Sequence, residues 1–98
     1  MIVNGNLILR DSLVNSLGNL KEVNGYVDLM GCNNLMDLGK LKIIRNNVTL
    51  NGSKLKSLGN LRSIDGKLGL LDCNNLEDLG ELEVVAGNLG IFRCEKLK

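Results

Sequence analysis

A repeat that alternates between 20 and 21 residues runs through the chain and leaves little choice of fold. Its coils share the pattern (V/I)-x-G-x-L-x-L-x-x-(C/S)-x(1,2)-L-x-x-L-G-x-L and begin at Val3, Val23, Ile44, Ile64 and Val85. Such a period is typical of a solenoid, in which each short coil buries its apolar side chains by stacking on its neighbours. We therefore expect one domain over residues 1–98, built from about five stacked leucine-rich coils.

The segment x-L-x-L of each coil alternates apolar and other residues with period two, which indicates a strand with one buried face. Its inward residues are Leu7 and Leu9, Val27 and Leu29, Val48 and Leu50, Leu68 and Leu70, and Leu89 and Ile91. Equivalent strands in stacked coils lie about 4.8 Å apart. The sequence therefore predicts a mainly β solenoid with one parallel sheet and with turns or short bridges on the opposite side.

Glycine recurs at two positions of the coil. The first column contains Gly5, Gly25, Gly66 and Gly87, with Asn46 in the third coil. Because Gly and Asn accept positive φ, this column predicts a left-handed turn before the strand. The second column predicts a turn on the far side, and it contains Gly18, Gly39, Gly59 and Gly80.

A column of small polar or thiol side chains follows the strand, and it contains Ser12, Cys32, Ser53, Cys73 and Cys94. The local pattern L-x-L-x-x-(C/S) resembles the core of leucine-rich repeats, and the resemblance covers the whole chain. Segments such as EVNGYVDLMGCNNL are also similar to the L domains of growth-factor receptors, and the repeats resemble those of uncharacterised bacterial and phage proteins. The resemblance implies that this column turns inward and hydrogen-bonds loop backbone. The chain departs from these families in lacking a long helical half and disulfide caps.

Composition argues against several classes of function. The chain has no His, which excludes His-based acid–base, metal and triad chemistry. Its net charge of +1 shows no excess of Lys and Arg of the kind that nucleic-acid binding requires. No apolar run has the length of a membrane span and the N-terminus is unlike a signal peptide, so we expect a cytoplasmic protein without a membrane partner. The three Cys lack C-x-x-C spacing, so we interpret them as small buried residues and expect no cofactor or metal.

The carboxylates favour no hydrolase or lyase acting on polysaccharide. Glu77, Asp78, Glu81 and Glu83 fall on the non-sheet side, where Lys56 and Arg62 of the preceding coil predict exposed ion pairs. Asp28 is the sole acid at an outward strand position. We therefore do not expect an enzyme.

The outward strand positions depart from an ordinary solvated face, because both aromatic residues of the chain fall there. Aromatic and Met side chains are favoured interface anchors. Gly69 and Gly90 adjoin Leu71 and Phe92, which predicts an apolar ridge beside a shallow, backbone-lined trough. The predicted partner-binding residues are Arg10, Tyr26, Asp28, Met30, Lys67, Leu71 and Phe92.

Neither end shows a polar capping repeat, and the last coil stops at CEKLK. Either another copy of the chain or a partner covers the C-terminal edge, or the sequence is part of a longer chain. We favour a homodimer joined through the C-terminal coil and the Leu71–Phe92 patch. The leading functional hypothesis is a module that binds a protein partner through the outer sheet face. Its more specific form, implied by the resemblance to phage repeats, is a small phage-encoded inhibitor of a bacterial defence protein. The alternative is a self-assembling structural protein that stacks through uncapped ends.

Overall fold

The computed structural model describes residues 1–97 and is a β-solenoid of parallel strands. In chain order, β1–β10 are Ile2–Val3, Leu7–Ile8, Glu22–Val23, Val27–Asp28, Ile43–Ile44, Val48–Thr49, Ser63–Ile64, Leu68–Leu71, Val84–Val85 and Leu89–Phe92. No helix occurs within this described range. The predicted number of about five coils is corrected to about four, because five coil starts enclose four complete turns.

The strands form two parallel five-stranded sheets. The strands with even numbers pair in the order β10-β8-β6-β4-β2 and form the sheet that the x-L-x-L pattern predicts. The strands with odd numbers form a second, narrow sheet at the coil starts, which the sequence analysis did not separate from the first. On the far side, isolated bridges join Ser16 to Asp37 and Ser57 to Asp78, in agreement with the predicted short bridges.

The inward columns meet in one continuous core along the solenoid axis. Leu29, Leu50 and Leu70 are completely buried, as are the coil-starting Val23 and Ile44. Burying one such side chain contributes about 1.5–3 kcal/mol. The coils in the middle of the stack therefore provide most of the hydrophobic stabilisation, because each is covered on both sides.

The glycine column before the strand does not adopt the left-handed conformation predicted for it, since Gly5, Gly25, Gly66 and Gly87 all lack positive φ. Close packing against the preceding coil explains Gly25, Gly66 and Gly87 instead, whereas a β-carbon on Gly5 would meet nothing within 4 Å. A β-carbon on Gly25 would stand 2.7 Å from the carbonyl carbon of Gly5, and one on Gly66 would stand 2.6 Å from that of Asn46. Any side chain at these positions would push the coils apart.

Left-handed backbone occurs in two other columns. The far-side glycines turn with φ between 54° and 60°, which confirms the second glycine prediction. The other left-handed column directly precedes the Ser/Cys column and contains Asp11, Gly31, Gly52, Asp72 and Arg93, with φ between 57° and 75°. This conformation turns the chain after each strand, so that the next residue points inward.

The thiols of the Ser/Cys column bond to backbone carbonyls of the preceding coil. Cys32 Sγ donates to the Leu9 carbonyl at 2.8 Å, and Cys73 Sγ donates to the Leu50 carbonyl at 3.1 Å. These contacts agree with the inward, backbone-bonding column that the resemblance implies. All three Cys are free, so no disulfide ties the coils together.

Charged side chains on the far side follow the predicted ladder only in part. Arg62 Nη2 lies 2.7 Å from Glu83 Oε1, which confirms that ion pair. Lys56 bonds to the next coil through its carbonyl, which accepts from the Glu77 amide at 2.7 Å, but its ammonium forms no ion pair within residues 1–97. Exposed pairs of this kind contribute at most about 1 kcal/mol each.

The coils are associated in pairs on the far side. Within the first pair, the Lys40 amide donates to the Gly18 carbonyl at 2.9 Å, and the equivalent bond recurs between the third and fourth coils. Between the second and third coils, the side chain makes this contact instead, as Asn60 Nδ2 donates to the Gly39 carbonyl at 3.2 Å. Because a side-chain amide reaches farther than a backbone N–H, this contact spans a wider separation between the second and third coils than the backbone bonds do within each pair.

The space around the far-side glycines shows the same difference between the tight and the wide junctions. A β-carbon on Gly39 would stand 3.0 Å from the Gly18 carbonyl carbon, whereas one on Gly59 would meet nothing within 4 Å. Asn46, the one departure from the first glycine column, also belongs to the third coil. We call the junction between the second and third coils, marked by Gly39, Gly59 and Asn60, the central seam.

Candidate partner-binding surface

The outer face of the β2-β4-β6-β8-β10 sheet displays its side chains in rows that run along the solenoid axis, with a register fixed by pairs such as Thr49 with Gly69. The first row contains Asn6, Tyr26, Asn47, Lys67 and Asn88. The middle row contains Ile8, Asp28, Thr49, Gly69 and Gly90. The third row contains Arg10, Met30, Asn51, Leu71 and Phe92. All the sequence-predicted partner-binding residues lie in these rows, but they divide into two groups separated by the third coil.

The first group lies on the first two coils and contains Arg10, Tyr26, Asp28 and Met30. Arg10 holds Asp28 through two contacts, with Nη2 at 2.9 Å and Nε at 3.1 Å from Oδ2. The other oxygen of Asp28 accepts the Met30 amide at 3.1 Å. Both oxygens of this carboxylate are therefore engaged within the protein, and its side chain is only 17% exposed.

The second group contains Lys67, Leu71 and Phe92, of which Lys67 and Leu71 line an open groove on the third to fifth coils, with a volume of about 340 Å³. We call this the sheet-face groove, and it is defined by Asn47, Asn51, Lys67, Gly69, Leu71, Asn88 and Gly90. Gly69 and Gly90 form its floor because they add no side chain to the middle row. The structure thus contains the shallow trough that the two glycines predict, beside Leu71.

Two asparagine side chains of the groove are held by the next coil. Asn47 Oδ1 accepts the Lys67 amide at 2.8 Å, and Asn51 Oδ1 accepts the Leu71 amide at 2.9 Å. These bonds engage the Oδ1 atom of each amide, so each Nδ2 atom still has two N–H groups to donate. Neither Nδ2 group has an acceptor within residues 1–97. The groove therefore offers oriented donors on both of its walls.

Lys67 gives the groove a positive charge. Its side chain is exposed, and within the described residues it lies within 4.0 Å of no carboxylate. No Asp or Glu belongs to the groove lining. The groove presents the two Nδ2 donors, one ammonium and apolar surface, together with the Thr49 hydroxyl and the Asn88 amide, which can both donate and accept hydrogen bonds.

Leu71 and Phe92 form the apolar ridge that the sequence predicts. They are partners in the β8–β10 ladder and are 40% and 59% exposed. The guanidinium carbon of Arg93 lies 5.1 Å from the centre of the Phe92 ring, and Arg93 Nη1 lies 3.9 Å from Asp72 Oδ1. An exposed cation–π contact contributes about 0.5–1 kcal/mol, so it helps to hold the ring in place.

The thiols lie away from this face. Burial raises the pKa of the Cys73 thiol, against the opposing effect of its hydrogen bonds with Ser53. Cys32 is also completely buried. Within residues 1–97, no three His, Cys, Asp or Glu side chains are grouped to hold a metal ion.

The groove asparagines are functional candidates that the sequence did not single out. Alternation along the strands puts Asn47, Asn51 and Asn88 at outward positions, but the predicted site contains only aromatic, apolar and charged residues. Their recurrence in the rows that contain Lys67 and Leu71 was the available signal. Side-chain torsions determine which atoms of each amide remain free to bond, and residue type does not predict these torsions.

Comparisons with protein-family models, with curated proteins and with solved structures find no match for this chain. Within residues 1–97, the structure contains no helix with the length and apolar character needed to cross a membrane.

Proposed function

We propose that this chain is a protein-interaction module that binds a partner through the outer face of the β2-β4-β6-β8-β10 sheet. The observation that carries the proposal is the exposed Leu71–Phe92 ridge beside a groove with free donors. Contiguous apolar surface next to polar groups is typical of protein contact sites. The Arg10–Asp28 pair and Tyr26 extend the same face toward the N-terminal coil.

We further propose that the solenoid belongs with leucine-rich-repeat-like proteins. The inward Ser/Cys column that follows L-x-L, with its bonds to backbone carbonyls, supports this assignment. The hypothesis of a phage-encoded inhibitor of a bacterial defence protein is a specific form of the proposal, in which occupation of the partner by this face blocks the partner's activity.

Site-specific photo-cross-linking tests the proposed face. A photoreactive phenylalanine analogue is placed at position 92 and, as a matched control, at Met36, which is exposed and apolar but lies on the far side. In native cells we expect a discrete cross-linked protein from position 92 only, and its yield should fall when Tyr26→Ala or Met30→Ala is added. Equal products from both positions, or no product from position 92, would contradict the proposal.

The second candidate is self-assembly through the C-terminal coil, as a homodimer or a longer stack. Within residues 1–97, β10 is paired on one side only, and its inward Leu89 and Ile91 are each 44% exposed. An open strand edge with apolar neighbours is a template for a further strand. Light scattering across a concentration series tests this: a discrete dimer or open-ended growth supports it, and a monomer throughout excludes it.

A further inference from the structure

We infer that the sheet-face groove binds an extended acidic segment of a protein partner, with a carboxylate at Lys67 and backbone carbonyls at the side-chain amides of Asn47 and Asn51. This inference rests on the proposed function and specifies the ligand of that surface. It follows from charge, from unused donors and from the shape of the floor.

Charge complementarity favours an acidic ligand. Lys67 is the sole charged residue of the groove lining. An incoming carboxylate would not have to displace an existing partner, because the described residues hold none within 4.0 Å of this ammonium. Arg10 offers no such opportunity, since Asp28 already occupies it at 2.9 Å.

The donors favour a peptide backbone as the rest of the ligand. An extended chain presents carbonyl oxygens along its length, and each needs a donor when it leaves water. Asn47 and Asn51 lie in the first and third rows of one coil, on either side of Thr49, so their amides flank a chain that runs along the middle row over Thr49 and the two glycines. The three coils of the groove span about 10 Å at strand spacing, which is the length of roughly three extended residues.

The floor allows such a chain to approach closely. A β-carbon on Gly90 would meet no atom nearer than 3.9 Å, so this glycine leaves space above the sheet, whereas a β-carbon on Gly69 would stand 3.1 Å from Asn51 Oδ1. Leu71 borders this space and is 40% exposed, which suits a small or apolar ligand side chain next to the acidic one. A nucleic-acid strand fits less well, because phosphate-backbone binding depends on several cations.

Selection from a displayed library of random peptides tests the inference on the full chain. The library is selected on the wild type, on Lys67→Glu and on Lys54→Glu, which alters an exposed lysine outside the groove. We expect peptides with Asp or Glu at one fixed position to be enriched on the wild type and on Lys54→Glu. On Lys67→Glu, this enrichment should vanish or change to Lys and Arg.

A second pair of variants tests the amide donors with a selected peptide, synthesised and measured by fluorescence anisotropy. Asn51→Asp keeps an oxygen for the Leu71 amide but removes the Nδ2 donors and adds negative charge. Asn6→Asp is the matched control, because Asn6 Oδ1 accepts the Tyr26 amide at 3.0 Å in the same manner outside the groove. We expect Kd to rise at least tenfold for Asn51→Asp and less than twofold for Asn6→Asp, with circular dichroism unchanged for both.

Several results would overturn the inference. These are an absence of enriched peptides, enrichment without an acidic position, equal binding to Lys67→Glu, or displacement of the peptide by a single-stranded oligonucleotide of similar affinity. The proposed function is judged separately, because the cross-link from position 92 depends on neither Lys67 nor an acidic ligand. If the selection fails while that cross-link persists, only the acidic-segment inference is lost.

Discussion

Gly25 lies directly against Gly5 of the preceding coil, so that a β-carbon on Gly25 would stand 2.7 Å from the Gly5 carbonyl carbon. We expect Gly25→Ala to destabilise the protein by about 1–3 kcal/mol, since the coils must separate to admit the methyl group. The free energy of unfolding in urea, followed by circular dichroism, measures this.

Gly5→Ala is the matched control for that experiment. It alters the same column in the first coil, where a β-carbon would meet nothing within 4 Å and φ is not positive. We expect a neutral or slightly stabilising effect, up to about 1 kcal/mol, because Ala restricts the unfolded chain. Equal losses for both variants would show that coil contact is not the reason for the glycine column.

Leu50 and Leu71 separate stability from binding. Leu50 is completely buried, so Leu50→Ala should cost about 2–5 kcal/mol through lost burial and a residual cavity. Leu71 is 40% exposed on the outer face, so Leu71→Ala should cost less than about 1 kcal/mol of stability while weakening binding to the proposed partner. Urea unfolding of both variants checks the contrast, and a large loss at Leu71 would make the ridge a structural feature instead.

Amide hydrogen exchange should reveal the central seam. The Lys40 and Glu81 amides donate to the Gly18 and Gly59 carbonyls, both at 2.9 Å, whereas the Asn60 amide has no acceptor within residues 1–97. We expect the Asn60 amide to exchange considerably faster than the other two, as resolved by NMR. Similar protection at all three positions would argue that the far-side gap closes in solution.

The pKa of the Cys73 thiol, raised by burial from its ordinary value of 9.0, links stability to alkaline pH. The unfolded thiol ionises at a lower pH than the folded one. Its contribution to stability is therefore complete below about pH 9 and is lost as the pH rises through the folded pKa. We expect the difference in unfolding free energy between wild type and Cys73→Ala to shrink above pH 9, measured by urea unfolding under reducing conditions. A difference that stays constant with pH would contradict this.

The strand positions and their register were predictable because a strict repeat leaves one way to stack inward residues. Val3 pairs with Val23, and Val23 with Ile44, as the period requires. The reason for a recurring glycine was not predictable, because positive φ and close backbone contact both select Gly. The left-handed position before the Ser/Cys column was hidden for a related reason, since residues other than Gly, namely Asp11, Asp72 and Arg93, occupy it in three of the five coils.

The candidate site was predictable as a face but not as a geometry. Alternation along each strand determines which residues point outward, and this placed Lys67 and Leu71 beside the glycine floor. That Asp28 is engaged by Arg10, while the amide of Asn51 stays available, depends on side-chain torsions and on contacts one coil away. Residue types in a single sequence do not specify these.

Because of the central seam, a pair of coils, and not a single coil, is the smallest unit of this protein that can be repeated without changing its stacking pattern. Duplicating residues 3–43 in series would reproduce a tight far-side contact inside each copy and a seam between copies. Duplicating a single coil would stack two coils of equal length on each other and interrupt the alternation between tight and wide far-side junctions. Natural or engineered lengthening of such a solenoid is therefore expected in two-coil steps, and each added pair of coils would lengthen every row of the outer face by two side chains.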